Sequence, residues 1–420
     1  MRIKKRTQFN MYSLLIFIYV ISAIAFESTP ETSIISTIAI YMIFGVGVIT
    51  VLNMRKVKVD IYIISKILFC LYAYIMTLTT NASQIKGAEI VYLLLTCSVL
   101  CMLIYWGIIY YYEIIEIVIA ANIVGALVLV LRIINAYDGV SNIIKKISFG
   151  GEQRIGSLIN NANAIGLFLA GAILSCIYFL FSKNKSKIFK IIIASSILIL
   201  GIMLLLTGSR KSFIFATAGI VFFLLLYYKK TNIVNKIFVY ILLIFGIIVI
   251  INIMRTVPIF SSIYERFELL FKGFFGNEVV YETDQMRKYM ISEGINQFLN
   301  HPFFGNGTGR SYVIFGTYSH NNFVELLMNY GIVGFSLFYI PLIILLFRLG
   351  KLAYNQDVGA IYFFISIFLQ FILGIGWVNY YERMPQLMCA VAWGYLYYNK
   401  IKEKKRKLKI RKKEEHNKYI

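Results

Sequence analysis

Charge is scarce in this sequence. Only 15% of its 420 residues are Asp, Glu, Lys or Arg, against about 25% in an average soluble domain. Apolar residues make up 59%. A water-soluble globular enzyme is excluded, because its surface cannot spare that much charge. A disordered chain is excluded too, since it needs low hydrophobicity. Acidic residues are the scarcest charges, 20 against 42 basic. The four aspartates, Asp60, Asp138, Asp284 and Asp357, are scattered, with no Asp-x-Asp pair. The five cysteines lie inside apolar runs and read as small membrane-embedded residues, not as a disulfide framework or zinc site. No His/Cys cluster has metal-ligand spacing. There is no Walker loop or dinucleotide fingerprint. Neither a metal nor any other cofactor is therefore expected.

What is present is apolar sequence in runs of membrane-spanning length. Twelve runs are expected to cross a bilayer: 10–27, 33–53, 60–80, 88–109, 114–134, 158–181, 189–206, 211–228, 233–254, 321–347, 359–378 and 384–398. The fold class is thus all-α, a polytopic membrane protein of about 12 transmembrane helices. The spans at Tyr110 to Glu116 meet with almost no loop. The first is read as an uncleaved span, with Ala23-Ile24-Ala25 the alternative, a signal-peptidase site. Lys66 is expected to snorkel to the cytoplasmic face.

A net charge of +22 suggests nucleic acid in a soluble protein. Here the positive-inside rule accounts for it, and no nucleic-acid partner is expected. With both termini cytoplasmic, the inside segments hold 27 of the 42 basic residues. The tail, 399–420, reads as a solvated or lipid-headgroup-binding segment. One connection, 255–320, is long and falls outside. Within it Ser262 to Phe275 and Asp284 to Leu299 look amphipathic, with a turn between them. His301-Pro302 and the glycines at 305, 307 and 309 end the second helix. A loop of this length is expected to be functional. The chain so divides into 1–150 (N-terminal spans), 151–254 (spans with outer Arg, Asn and Lys motifs), 255–320 (external cap), 321–398 (C-terminal spans) and 399–420 (tail).

Basic residues on the outer side are the informative ones, because the positive-inside rule does not call for them. Arg154, Arg210, Lys211, Arg287 and Arg310 all fall there. Each alone is compatible with an ordinary surface residue. Together with three helix starts they suggest more. Ser209-Arg210-Lys211-Ser212 opens a span from outside, with Ser209 a good N-cap. Arg154 through Asn161 and Asn163 leads into another. Ser319-His320-Asn321-Asn322, with Glu325 sharing a face with the two asparagines, opens a third. A helix N-terminus beside Arg and Lys is an anion site. Capping and interhelical hydrogen bonds are the alternative reading of Asn160, Asn161 and Asn163. A diphosphate or polyanionic lipid headgroup fits the cations. His320 beside a helix's positive end and nearby cations should stay neutral near pH 7, the form a general base needs.

Four segments carry a resemblance: RIGSLINNANAIGLFL, LLLTGSRKSFI, NHPFFGNGTG and SHNNFVELLMNYGIVG. They resemble the O-antigen ligase and polymerase superfamily, the Wzy-type polysaccharide polymerases and their ligase relatives, over roughly 150–380. At 161–163 this sequence has Asn-Ala-Asn where relatives often show Asn-Pro-Asn. The resemblance implies a bacterial plasma-membrane enzyme performing metal-independent glycosyl transfer at the outer face. The donor would be a glycan on undecaprenyl diphosphate, and the acceptor a sugar hydroxyl on another such lipid. Chain-length regulator and flippase proteins are the implied further partners. By motif position Arg210 would contact the diphosphate and His320 would sit at the reacting centre, with Glu325 beside it. Arg154, Lys211, Arg287, Arg310, Asn161, Asn163, Asn321 and Asn322 are the candidate substrate-binding residues. Polymerase is the expected activity. Ligase is the rival within the family, and a flippase of about twelve spans the rival from another class.

Overall fold

The computed structural model describes residues 11–26, 30–54, 57–78, 84–149, 154–156, 159, 161–183, 185–257, 260, 264–265, 268 and 282–417. Among these every regular element is a helix. The first five are α1 (Met11–Ala25), α2 (Pro30–Leu52), α3 (Ile61–Leu78), α4 (Gln84–Tyr110) and α5 (Ile114–Ala136). A short amphipathic α6 (Val140–Phe149) follows, then α7 (Ala162–Phe181), α8 (Lys187–Leu206), α9 (Arg210–Tyr227) and α10 (Ile233–Thr256). The last five are α11 (Glu282–Asn300), α12 (Arg310–Phe315), α13 (Asn322–Tyr354), α14 (Val358–Leu373) and α15 (Arg383–Asn417).

Each of the twelve apolar runs lies on a helix, but among the described residues nine helices are long and apolar enough to cross a membrane. The protein is thus a multi-pass helical membrane protein, and the expected twelve spans are not matched by twelve helices of spanning length. The difference comes from α1 and α14, with 15 and 16 residues, and from α15, whose apolar turns run on unbroken into the basic tail. At 110–114 the chain turns within three residues, with Tyr111 N bonded to Gly107 O at 2.7 Å. The amphipathic segment expected at 262–275 falls almost wholly outside the described residues. The one expected at 284–299 is α11, which ends at Asn300, before Pro302.

The bundle is close-packed where helices lack large side chains. The helix α1 buries Tyr12, Ile16, Tyr19 and Val20 completely and lies against α5. A Cβ at Gly125 would come within 3.2 Å of Ile21 and Ile24. The first apolar run is therefore part of the core. Polar side chains bridge helices in the interior: Asn122 Nδ2 donates to Ser175 Oγ at 3.1 Å, and Ser175 Oγ meets the Tyr362 hydroxyl at 2.9 Å. Such bonds hold helices together where no hydrophobic difference separates lipid from protein. At the other extreme, α10 buries only Met254 among the described residues; its remaining apolar surface is what a bilayer covers. Lys66 is half-buried, and its ammonium donates to Gln386 Oε1 on α15.

Candidate active site

Three helix N-termini meet at one end of the bundle, and local capping chemistry holds each. Asn161 caps α7 by accepting Asn163 N at 2.9 Å. Ser209 caps α9, accepting Ser212 N at 3.4 Å. The two starts are tied together. Arg154 Nη2 donates to Asn163 Oδ1 at 2.8 Å, and its Nε donates to the Thr207 carbonyl at 3.2 Å. Ser212 Oγ donates to the Asn163 carbonyl at 3.3 Å. Gly166 allows the approach, since a Cβ there would meet Ser212 Oγ at 2.5 Å. Arg154 thus bonds one side chain and one backbone carbonyl of the protein itself, aligning α7 with the α8–α9 turn.

The third start is that of α13. Asn321 caps it, accepting Phe323 N and Val324 N at 3.0 and 3.1 Å. Asn322 reaches across to the α14–α15 connection. Its Oδ1 accepts Asn379 N at 2.8 Å and Tyr380 N at 3.0 Å, and its Nδ2 donates to the Tyr339 hydroxyl at 2.7 Å. Glu325 is fully buried. It accepts Ser311 Oγ at 2.5 Å and Ser319 N at 2.7 Å, stitching the 310–319 segment to α13. Between Ser319 and Asn321, His320 has φ +59°, in the left-handed region that His tolerates better than most residues.

Nine residues after Asn322, α13 breaks. Gly331 has φ +60° and non-helical geometry. The loop after α11 fills the gap: Ile332 N donates to Pro302 O at 2.9 Å, while Asn306 N and Gly307 N donate to Met328 O and Asn329 O, each at 2.9 Å. Backbone groups freed by the break are thereby satisfied, as membrane depth requires. Gly305 lies so close that a Cβ there would meet Tyr330 N at 2.5 Å. Two glycine motifs far apart in sequence thus form one joint, which positions the segment after α11 against α13. Arg310, held by Gln297 Oε1 at 3.2 Å, belongs to this joint.

The three starts and the 374–383 connection enclose a cavity of about 580 Å³. Lys211, Arg287, Arg383 and His320 reach its wall from α9, α11, the start of α15 and the α12–α13 turn. Asn161 and Asn163 line it too, and Asn122 and Phe168 lie among its deeper residues. Lys211 is anchored, with its ammonium donating to the Gly376 carbonyl. Burial, and then the charges of Arg287 and Lys211, push the His320 imidazole down to about 4. It is therefore neutral at pH 7. Burial is the leading cause and the nearby cations follow, where the sequence argues from the helix end and those cations. Among the described residues nothing hydrogen-bonds its ring, which packs against Tyr318 at 4.2 Å between centroids. Burial also raises the Tyr318 and Tyr381 phenols, leaving two neutral hydroxyls on the wall.

Of the candidates read from sequence, Lys211, Arg287, His320, Asn161 and Asn163 come together at the cavity. Arg210, Arg154, Arg310, Asn321, Asn322 and Glu325 are not on its wall. Arg210 is the adjacent residue to Lys211 and half-buried, but it is Lys211 that faces inward. Sequence reasoning passed over Arg383, Glu382, Trp377 and Tyr381. The signal was there for Arg383: like Arg154, it is a basic residue at the end of a span on the side expected to be poor in positive charge. Among the described residues no three His, Cys, Asp or Glu side chains come together as a metal site.

Residues 194–339, from within α8 to within α13, match the family model described as O-Antigen ligase. That stretch includes Lys211, Arg287 and His320 but not Arg383. No curated protein matches the chain.

Proposed function

We propose that this protein is a membrane glycosyltransferase that joins lipid-linked oligosaccharide repeat units into a surface polysaccharide. The donor is a glycan on undecaprenyl diphosphate, and the acceptor is a sugar hydroxyl of a second lipid-linked unit. The observation that carries this reading is the cavity itself: three cations, outnumbering the single carboxylate of Glu382, and one neutral imidazole converge on a single space within a membrane bundle. A diphosphate leaving group needs positive charge where its own charge builds up, and preorganised cations supply it.

In the step proposed, the acceptor oxygen forms a bond to the anomeric carbon. The bond from that carbon to the diphosphate oxygen breaks, and its electron pair leaves with the diphosphate. His320 takes the hydroxyl proton and returns it to water. An imidazole held near 4 is a weak base before substrate binds. Burial depresses it first and the Arg287 and Lys211 charges add to that; a bound diphosphate offsets the charges, and so raises its basicity when substrate is in place. Lys211, Arg287 and Arg383 hold the diphosphate, and Trp377, Tyr318 and Tyr381 offer rings and hydroxyls to sugars.

Ligation is the second reading, favoured by the description of the matching family. It uses the same donor and the same cavity with a different acceptor. A strain lacking the protein separates the two: single lipid-linked units accumulate if it polymerises, long unattached chains if it ligates. Purified protein in detergent with lipid-linked units tests the chemistry directly. Polymer formed without a bilayer supports the polymerase. Absence of any glycan transfer under those conditions would argue for the flippase reading instead.

A further inference from the structure

A second charged cavity, of about 370 Å³, lies at the opposite end of the bundle. It sits where the segment before α3, the last turns of α13 and the middle of α15 come together. Lys58, Arg348, Lys351 and Lys400 line it, against two carboxylates, Asp60 and Glu403. Asp60 is already engaged. It caps α3 by accepting Tyr62 N at 3.2 Å, takes the Tyr105 hydroxyl at 2.5 Å and pairs with Lys58 at 3.3 Å. Arg348, Lys351 and Lys400 have no ion pair among the described residues. Arg348 and Lys351 instead lie over rings, Trp393 at 5.4 Å and Phe347 at 4.7 Å, and Lys58 lies over Tyr397 at 3.7 Å.

Four cations against two carboxylates leave the concavity net positive, which favours an entering anion. Burial, outweighing Asp60 and reinforced by Lys400 and Arg348, lowers the Lys58 ammonium below its ordinary value. The surroundings suggest the kind of anion. The apolar turns of α13 and α15 flank the cavity, and Trp393, itself buried, and Tyr397 lie on its wall. Basic pockets between transmembrane helices take phosphorylated headgroups.

We infer that this cavity binds the phosphodiester headgroup of an anionic phospholipid. The phosphate sits among Lys58, Arg348 and Lys400, and the glycerol portion lies against Trp393 and Tyr397. The bound lipid ties the far ends of α13 and α15 to the start of α3. It is a different lipid, at a different end of the molecule, from the diphosphate-linked donor, and does not depend on the reading of the active cavity.

The test uses the full chain, purified in detergent and stripped of lipid. Phosphatidylglycerol, phosphatidylcholine, and inorganic phosphate with glycerol phosphate are added in separate arms. Native mass spectrometry reads binding, and thermal unfolding reads stabilisation. Phosphatidylglycerol is expected to bind and stabilise, and phosphatidylcholine to do neither. Arg348→Ala and Lys400→Ala are each expected to weaken retention about fivefold. Arg348→Lys should keep most of it, and Lys187→Ala, on α8, should change nothing. Should an alanine variant fail to fold, Arg348→Lys and Lys400→Gln give the comparison. Inorganic phosphate that binds with the same dependence on Arg348, and displaces the lipid, would overturn the lipid as occupant. Equal retention of phosphatidylglycerol by wild type, Arg348→Ala and Lys400→Ala would overturn the site.

Discussion

Asn322 Oδ1 accepts the backbone N–H of Asn379 at 2.8 Å, joining the first turn of α13 to the turn before α15. Four residues beyond Asn379 is Arg383, on the cavity wall. An asparagine that does not line the cavity therefore decides where one of its cations stands. Asn322→Ala leaves two buried N–H groups without an acceptor, at a cost of about 1–3 kcal/mol each. A lower melting temperature and loss of polymer are expected together. Asn322→Asp keeps the acceptor oxygens and should recover more of both. Wild-type behaviour of Asn322→Ala in a melt and a glycan ladder would break the link.

Lys211 and Arg383 are expected to matter for turnover because both face the cavity. Losing one charge-assisted contact to a diphosphate costs about 1.5–3 kcal/mol, roughly 10–100-fold in rate if it acts in the transition state. Lys211→Ala and Arg383→Ala should each fall in that range with insertion unchanged. Arg210→Ala provides the discriminating comparison. The family resemblance gives Arg210 the diphosphate; the geometry gives the wall to its neighbour. Loss of activity in Arg210→Ala with full activity in Lys211→Ala would show that the cavity is not the diphosphate site.

His320 has a pH signature. Its pKa is lowered to about 4, so the free protein holds a neutral imidazole at and above neutral pH and becomes protonated only as pH falls through that value. The acid limb of kcat/KM, which reports the free enzyme, should lie near that value. The acid limb of kcat should lie higher, because bound diphosphate offsets the Arg287 and Lys211 charges. His320→Gln should bind lipid-linked units but turn over about 100–10,000-fold more slowly. Near-normal turnover of that variant would make His320 a scaffold residue.

Glu325 is expected to act through structure. Glu325→Gln retains one acceptor oxygen for three donors, Ser311 Oγ, Ser319 N and Asn329 Nδ2, so at least one buried group loses its partner at about 1–3 kcal/mol. Stability and activity should fall in parallel while the pH profile keeps its shape. A shifted acid limb in this variant would instead place Glu325 in the proton path.

Orientation is open to direct labelling. With both termini cytoplasmic, a cysteine replacing the exposed His301 should react with a membrane-impermeant thiol reagent from outside, and one replacing Lys402 should not. The reverse pattern would place the active cavity on the cytoplasmic side and remove the case for chemistry at the outer face.

Hydropathy and capping residues determined much of this molecule on their own. Runs of apolar residues specify membrane helices because an unpaired backbone cannot exist in hydrocarbon. Caps at Asn161, Ser209 and Asn321 are local, each bonding within three residues of itself, so their helix starts were legible one by one. The joint between Gly305 and Gly331, the clamp from Asn322 to Asn379, and the inward turn of Lys211 rather than Arg210 were not. Each depends on which distant backbone arrives beside a given residue, a property of packing that spacing along the chain does not carry. The same limit applied to Lys66, whose partner Gln386 is 320 residues away, and to the cations of the second cavity. Charge counting placed Lys58, Arg348, Lys351 and Lys400 on one side of a membrane; only the tertiary structure brought them around a single space, because helix ends distant in sequence meet where their buried faces pack.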